Sequence, residues 1–276
     1  MKSYISYFIL KFKTGLQYRV AAIAGISTQI FFGLVYISVY VAFYESDSSN
    51  LPMKLNELVS YLWLNQCFFT LVYMWYKDKE IINMIKTGNI AYELCRPQNL
   101  YFMWLSKLLG ERLSKVILRF LPVMLFALIL PSPFNLDLSI TIPRLLVFII
   151  SLSLASILVT VITLLYHIIC LFTLDEKGVV NMFMVASDIL SGLTIPIPFF
   201  PKYLQTITNI LPFRYVSDFP FRLYVGNITI NEGLVGILIQ VIWIVILMLF
   251  GSLLMKKALK KAVRDKIFLF GSNEKA

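Results

Sequence analysis

Charge is scarce in this 276-residue chain. Asp, Glu, Lys and Arg together make up 14% of it, against about 25% in an ordinary globular domain. A water-soluble fold of this size needs a polar surface that such a composition cannot supply. Histidine occurs once, as His167, and cysteine three times, as Cys67, Cys95 and Cys170, in no CxxC pair and no zinc spacing. Neither a metal site nor a disulfide framework is expected. No GxxxxGK[ST] phosphate loop occurs, which excludes ATP hydrolysis by that route within the chain. Met1–Tyr18 is basic and aromatic without a small-residue cleavage site, so no cleavable signal peptide is expected. The apolar stretches also lack paired catalytic residues such as Ser–His, two Asp or clustered His, and no catalytic residue is nominated.

What the chain has is apolar mass. Hydrophobic residues reach 59% and aromatics 15%, with 22 Phe, 15 Tyr and 4 Trp, and mean hydropathy is +0.79. The solvent for such a chain is lipid, and the expected fold is an all-α integral membrane protein. Crossing the hydrocarbon takes about 20 mostly apolar residues. Six stretches meet that length: 20–44, 58–76, 104–131, 144–173, 179–199 and 234–255. The third carries Lys107, Glu111, Arg112, Lys115 and Arg119 in its first half and becomes fully apolar only after Arg119. Pro122 predicts a kink there.

The net charge of +10 would suggest nucleic acid in a soluble protein. Here the cations sit between apolar runs, so topology and anionic lipid headgroups are the expected cause, with no nucleic-acid partner. With the N-terminus in the cytoplasm, 20 of the 25 basic residues fall inside; Lys54, Arg144, Lys202, Arg214 and Arg222 fall outside. That asymmetry places both termini in the cytoplasm and supports an even number of spans.

Three segments go beyond a plain bundle. Residues 1–18 carry Tyr4, Ile5, Phe8, Ile9 and Phe12 at helical spacing beside Lys2, Lys11 and Lys13, as in an amphipathic helix lying in the headgroup plane. The stretch KDKEIINMIKTGN places Ile81, Ile82, Met84 and Ile85 on one face among charges, and Gly88 and Asn89 are stop signals. This short cytoplasmic helix, 79–88, reads equally as a docking element for a soluble partner and as a connector resting on lipid. The third segment, TIPIPFFPKYLQTITNILPFRYVSDFPFRLYVG (194–226), is external, aromatic and broken by five prolines after Thr194. Residues 200–226 are expected to dip into the outer leaflet as a re-entrant helical pair.

Several single residues stand out by their chemistry. Asp188 is the one acid deep in an apolar stretch (MFMVASDILSGL); it reads as a contact to the pathway or a second subunit, or as an interhelical hydrogen bond. Gln29, Asn65 and Gln66 line a passage or glue helices together. Arg112, Lys115 and Arg119 are expected to snorkel to headgroups. His167 and Cys170 lack further metal ligands, and His167 is read as a structural hydrogen-bonding group. Tyr36, Tyr40 and Tyr44 are read as interface anchors.

Two stretches carry a family likeness. NIAYELCRPQNLYFMWL (89–105) resembles the cytoplasmic "-RP-" stretch of ABC-2 type permeases, the membrane-spanning subunits of a class of ABC exporters. SGLTIPIPFFPKYLQTITNILPF (191–213) resembles the family's "SG..P...FP..L.....LPF" pattern. The likeness covers nearly the whole chain. It implies six spans, an N-terminal interfacial helix, a coupling helix between spans 2 and 3 and re-entrant external helices before span 6. It implies coupling to separate ATPase subunits through Lys79, Glu80, Ile81, Ile82, Met84, Ile85, Lys86 and Gly88. It also implies a second identical or homologous permease with the pathway between the two, where Gln29, Asn65, Gln66 and Asp188 are candidates. ATP and Mg then belong to the partner ATPase, this chain binding no cofactor and acting as a multi-pass protein of a bacterial inner membrane. A peptide or hydrophobic small molecule is the expected cargo. The competing reading is a secondary transporter or channel independent of ATP. It needs coupling charges within the spans, where Asp188 is nearly alone, and it leaves helix 79–88 without a role.

Overall fold

A computed structural model describes residues 2–46, 51–173 and 178–273; Lys177 and Lys275, counted above among the cations, lie outside them. Among the described residues there are twelve α-helices and no strand: α1 (Lys2–Gly15), α2 (Arg19–Ser46), α3 (Leu55–Cys67), α4 (Phe69–Val72), α5 (Lys79–Thr87), α6 (Ile90–Leu94), α7 (Leu100–Ile129), α8 (Ile142–Thr173), α9 (Val179–Leu190), α10 (Lys202–Ile210), α11 (Asp218–Val225) and α12 (Ile230–Asn273). Three stretches are long and apolar enough to cross a membrane: Arg19–Ser46, Ile142–Thr173 and Ile230–Lys261.

The remaining expected spans take other forms. The 58–76 stretch is helical only to Val72, with a break at Phe68 (φ −102°, ψ 11°), and leaves the helix at Tyr73. The reason lies on α7: Nη1 of Arg112 donates to the carbonyls of Leu71 (3.0 Å) and Tyr73 (2.7 Å). Carbonyls released by unwinding thus acquire a charged donor, which non-helical backbone within a bundle requires. The 179–199 stretch stops at Leu190. Twelve helical residues cover about 18 Å, short of the roughly 30 Å of hydrocarbon. It continues as a turn through Gly192 (φ 78°) and a 3-10 turn at Ile197–Phe199.

α8 is the central post. It packs against α12, α11, α7, α4, α5 and α9, and buries Ser151, Ser156, Thr160, Thr163 and His167 along with its apolar residues. Gln240 of α12, fully buried, accepts from Ser151 Oγ (3.1 Å) and donates to the carbonyls of Ser151 (3.1 Å) and Tyr215 (2.9 Å). One amide therefore fixes α12, α8 and the 213–215 turn in register.

The aromatic 194–226 segment folds into α10, which packs on the turns at 197–199 and 213–215, and α11, which packs on α8 and α3. Buried Asp218 accepts from the Ile197 amide (3.3 Å), and its own amide donates to Ser191 O (3.2 Å), which also takes Ser217 Oγ (2.7 Å). Tyr61 of α3 donates to Gly192 O (2.9 Å) and lies 3.4 Å from the Asp218 carboxylate. The proline-broken backbone is thus internally paired, as burial demands.

α1 lies along α7. A Cβ on Gly110 would stand 2.8 Å from Phe8 O, closer than real Cβ atoms come to backbone. The helices approach because the residue at the crossing is small. Gly110→Val is expected to destabilise the protein by about 1–3 kcal/mol through overpacking, read as a lower thermal-unfolding midpoint in detergent. Leu121→Val, at an exposed position of the same helix, is expected to leave that midpoint in place.

Candidate functional site: a short amphipathic helix on a polar mount

α5 is specified locally. Asp78 is its N-cap, accepting from the amides of Glu80 (2.9 Å) and Ile81 (3.0 Å). Gly88 is its C-cap at φ 75°, a left-handed conformation that favours glycine. Between the caps, Ile81, Ile82 and Ile85 are buried and Met84 is half-buried, while Lys79, Glu80, Asn83, Lys86 and Thr87 are exposed. The apolar face therefore meets neither lipid nor a soluble partner. Ile82 packs into a cleft with Tyr166, His167, Cys170, Val180 and Met184 of α8 and α9. The surface left outward is polar.

The residues that lead into α5 are held from four directions. Met74 donates its amide to Asp188 of α9 (3.3 Å). Tyr76 donates its hydroxyl to the Glu111 carboxylate and accepts from Lys115 Nζ (2.9 Å), with Arg112 Cζ 5.2 Å from its ring. Lys77 reaches Asn181 Oδ1 (2.6 Å). The Asp78 amide donates to His167 Nε2 (3.0 Å). Since Nε2 accepts, the ring proton sits on Nδ1, which faces Thr163 O at 2.8 Å. Thr163 also accepts from Arg112 Nη2 (2.6 Å).

Lys107 is the centre of the mount. It is 1% exposed, and its ammonium stands 2.7 Å from Asp78 Oδ2, 2.7 Å from Glu80 Oε2 and 4.0 Å from Glu111 Oε1. To both Asp78 and Glu80 this is an ion pair by distance rather than a well-directed hydrogen bond. Glu80 is further paired with Lys11 of α1 at 2.8 Å. Partial burial raises the Glu80 carboxyl's pKa, but Lys107 and Lys11 outweigh it and hold it at about 2. Glu80 is thus charged at any physiological pH, and it ties α5 to α1 and α7 together.

The sequence-nominated residues fall into separate places. Lys79, Glu80 and Lys86 lie on the outer face of α5; Ile81, Ile82 and Ile85 lie on its inner face, with Met84 at the edge and Gly88 as cap. Asp188 holds the Met74 amide. Gln29, Asn65 and Gln66 are buried on α2 and α3; the Gln29 amide group makes no hydrogen bond, and none joins these three to Asp188. Arg112 does not snorkel: it is 1% exposed and engaged inside the bundle through Nη1 and Nη2. Lys115 binds Tyr76, and Arg119 donates to Ala21 O (3.3 Å). A charge in an apolar helix can satisfy itself inward as readily as toward headgroups, and the unwound 73–78 backbone offers the inward partners. Tyr44 donates to Met53 O (2.7 Å) and Tyr40 packs on Phe199, so these two bind their own chain. Lys107, Asp78, Glu111 and Tyr76 were not nominated. Their signal was the run of charges at helical spacing on α7 opposite Asp78 and Glu80. Among the described residues no cluster of His, Cys, Asp and Glu could hold a metal.

Removing Lys107 leaves the buried Asp78 carboxylate without its cation, while exposed Glu80 keeps Lys11. Lys107→Met is therefore expected to destabilise by about 3–5 kcal/mol and to open the α5 linker to trypsin. Lys11→Met removes a partly exposed pair and is expected to cost no more than about 1 kcal/mol. Thermal unfolding and limited proteolysis check the order; equal effects would refute Lys107 as the centre.

Comparison with known proteins follows the same outline. Residues 54–263, from the entry to α3 into α12 and so including all of the mount except Lys11, match the family model described as ABC-2 family transporter protein. No curated protein and no solved structure matches the chain. The match covers well over half of the sequence, and the chain belongs to the ABC-2 transporter family.

Proposed function

We propose that this chain is the permease subunit of an ATP-driven exporter. In this reading it crosses a bacterial inner membrane six times with both termini in the cytoplasm, α3–α4, α7 and α9 with its following turns supplying the crossings beyond the three long apolar helices. It forms the pathway with a second identical or homologous permease, and separate ATPase subunits, which carry ATP and Mg, dock on α5. The cargo is a peptide or a hydrophobic small molecule. Residues 200–226 enter the outer leaflet.

The observation that carries this reading is the construction of α5: capped at both ends, apolar face buried, polar face outward, and root fixed to α1, α7, α8 and α9. A helix that only connected two spans has no need of so rigid a seat. A helix that receives a push from a soluble subunit does, because a loose mount absorbs the displacement before it reaches the spans. Docking then falls to the outward residues Lys79, Asn83 and Lys86, and the isoleucines act by holding the helix in place.

The test begins with the tagged chain purified from its native membrane. Co-purification of a phosphate-loop ATPase is expected, and transport driven by an ion gradient with no ATPase present would overturn the reading. A Lys79→Glu, Asn83→Glu double variant is expected to reduce that co-purification at least tenfold while leaving membrane insertion and unfolding unchanged; undiminished association would remove α5 as the docking element.

Asp188→Asn keeps an oxygen for the Met74 amide. It is expected to lower transport or permease pairing at unchanged thermal stability, and wild-type behaviour in both assays would confine Asp188 to the mount.

A further inference from the structure

Where the 194–226 segment meets the first turns of α12, a cavity of about 450 Å3 opens. Its lining combines the guanidiniums of Arg214 and Arg222, the carboxylate of Glu232 and the apolar side chains of Val235 and Ile239. The uncharged run of α12, residues 234–255, begins two residues after Glu232 and is about 33 Å long against roughly 30 Å of hydrocarbon. The first turn of α12 therefore stands at headgroup depth, and the cavity lies on the boundary between polar and apolar surroundings. Val235 is 59% exposed, and the exposed apolar surface continues down the helix through Leu238 and Ile242.

The charges in this cavity are not equivalent. Arg222 is offset: Nη1 lies 3.4 Å from Asp218 Oδ2, and Nε donates to Asn227 Oδ1 at 2.8 Å. Arg214 donates only to the neutral amide oxygen of Asn209 and lies over the Tyr215 ring (5.3 Å), with its Nε buried and without a hydrogen-bond partner. Glu232 accepts from the Thr229 amide (2.9 Å) and hydroxyl (2.8 Å). Among the described residues neither Arg214 nor Glu232 has an opposite charge at ion-pair distance. Two charges of opposite sign, neither held in a close ion pair, thus line one cavity beside an exposed apolar strip.

We propose that this cavity binds the head of a zwitterionic phospholipid with a primary ammonium. Arg214, assisted by Arg222, takes the phosphate through the planar donor fork that suits it; Glu232 takes the ammonium; and the acyl chains run along Val235 and Ile239. A purely anionic head leaves Glu232 opposed, and a tail-less phosphate compound leaves the apolar strip unused. The proposal rests on α12 as a span and not on ATPase docking, so lost lipid selectivity with ATPase association intact would count against it alone.

The test is native mass spectrometry of the purified full chain released from vesicles holding equal parts of phosphatidylethanolamine, phosphatidylcholine and phosphatidylglycerol. Retention of phosphatidylethanolamine is expected to exceed that of the other two about tenfold, the scale of one charge-assisted hydrogen bond. Arg214→Gln is expected to lower retention of all three. Glu232→Gln, at an exposed position that does not threaten the fold, is expected to remove the preference for phosphatidylethanolamine over phosphatidylglycerol without lowering phosphatidylglycerol. Equal retention of the three lipids by the unmodified chain, or a preference that survives Glu232→Gln, would overturn the assignment. Displacement of bound lipid by soluble phosphoethanolamine at matching concentration would overturn the lipid source in favour of a soluble ligand.

Discussion

A lysine ammonium with almost no solvent access, wedged between the cap of one short helix and its first turn, governs the end of the bundle that carries α5. Lys107 cannot be buried without counter-charges, and Asp78 and Glu80 supply them. Asp78 in turn cannot give its carboxylate to Lys107 unless it stands at the start of α5, where it also caps the helix. The position of α5 is thereby tied to a residue on a long helix of the bundle. Its side-chain direction follows, with Ile82 at the cleft between α8 and α9 and Ile81 and Ile85 in the core. One electrostatic constraint fixes where α5 sits and which face it turns outward.

The same logic recurs at two other levels. Gln240 ties α12 to α8 and the 213–215 turn, and Asp218 ties the proline-broken segment to α3 and Ser191. In a soluble protein the hydrophobic effect would hold such helices together and polar groups would decorate the surface. Between helices in lipid that driving force is weak, since hydrocarbon tails compete with Leu and Ile on equal terms. Register then falls to the few buried polar groups that have only one way to be satisfied. Their positions at one end, in the middle and at the other end explain how a chain with so little charge reaches a single arrangement.

Much of the fold was legible in the sequence, and the reason is that it was encoded locally. α5 was read as 79–88 and is found at Lys79–Thr87, because both signals, the glycine stop and the apolar face among charges, lie within one helix. Membrane character, the long apolar helices and the broken outer segment likewise depend only on composition, run length and proline. What could not be read was direction. Arg112 and Lys115 look alike whether they reach out to headgroups or in to carbonyls, and the answer depends on α4 unwinding at Tyr73, which carries no proline or glycine to announce it. The end of α9 at Leu190 was hidden for a related reason: Ser191 and Gly192 are tolerated inside a span, and only the pairing of Ser191 O with Asp218 and Ser217 shows that the chain turns there.

Burial of the α5 isoleucines changes what the helix can do. With its apolar face engaged, it cannot bind a partner by hydrophobic insertion, and the proposed contact through Lys79, Asn83 and Lys86 is polar, reversible and easily hydrated. Such a surface suits a subunit that must press and release in each cycle, since a buried apolar interface between the two would resist separation. Displacement of α5 acts through Glu80 on α1, through Asp78 on α7 and α8, and through Met74 on α9, all within seven residues of chain. A seat that grips several helices at once moves them together or not at all, and that all-or-none character is the mechanical property a coupled membrane subunit needs.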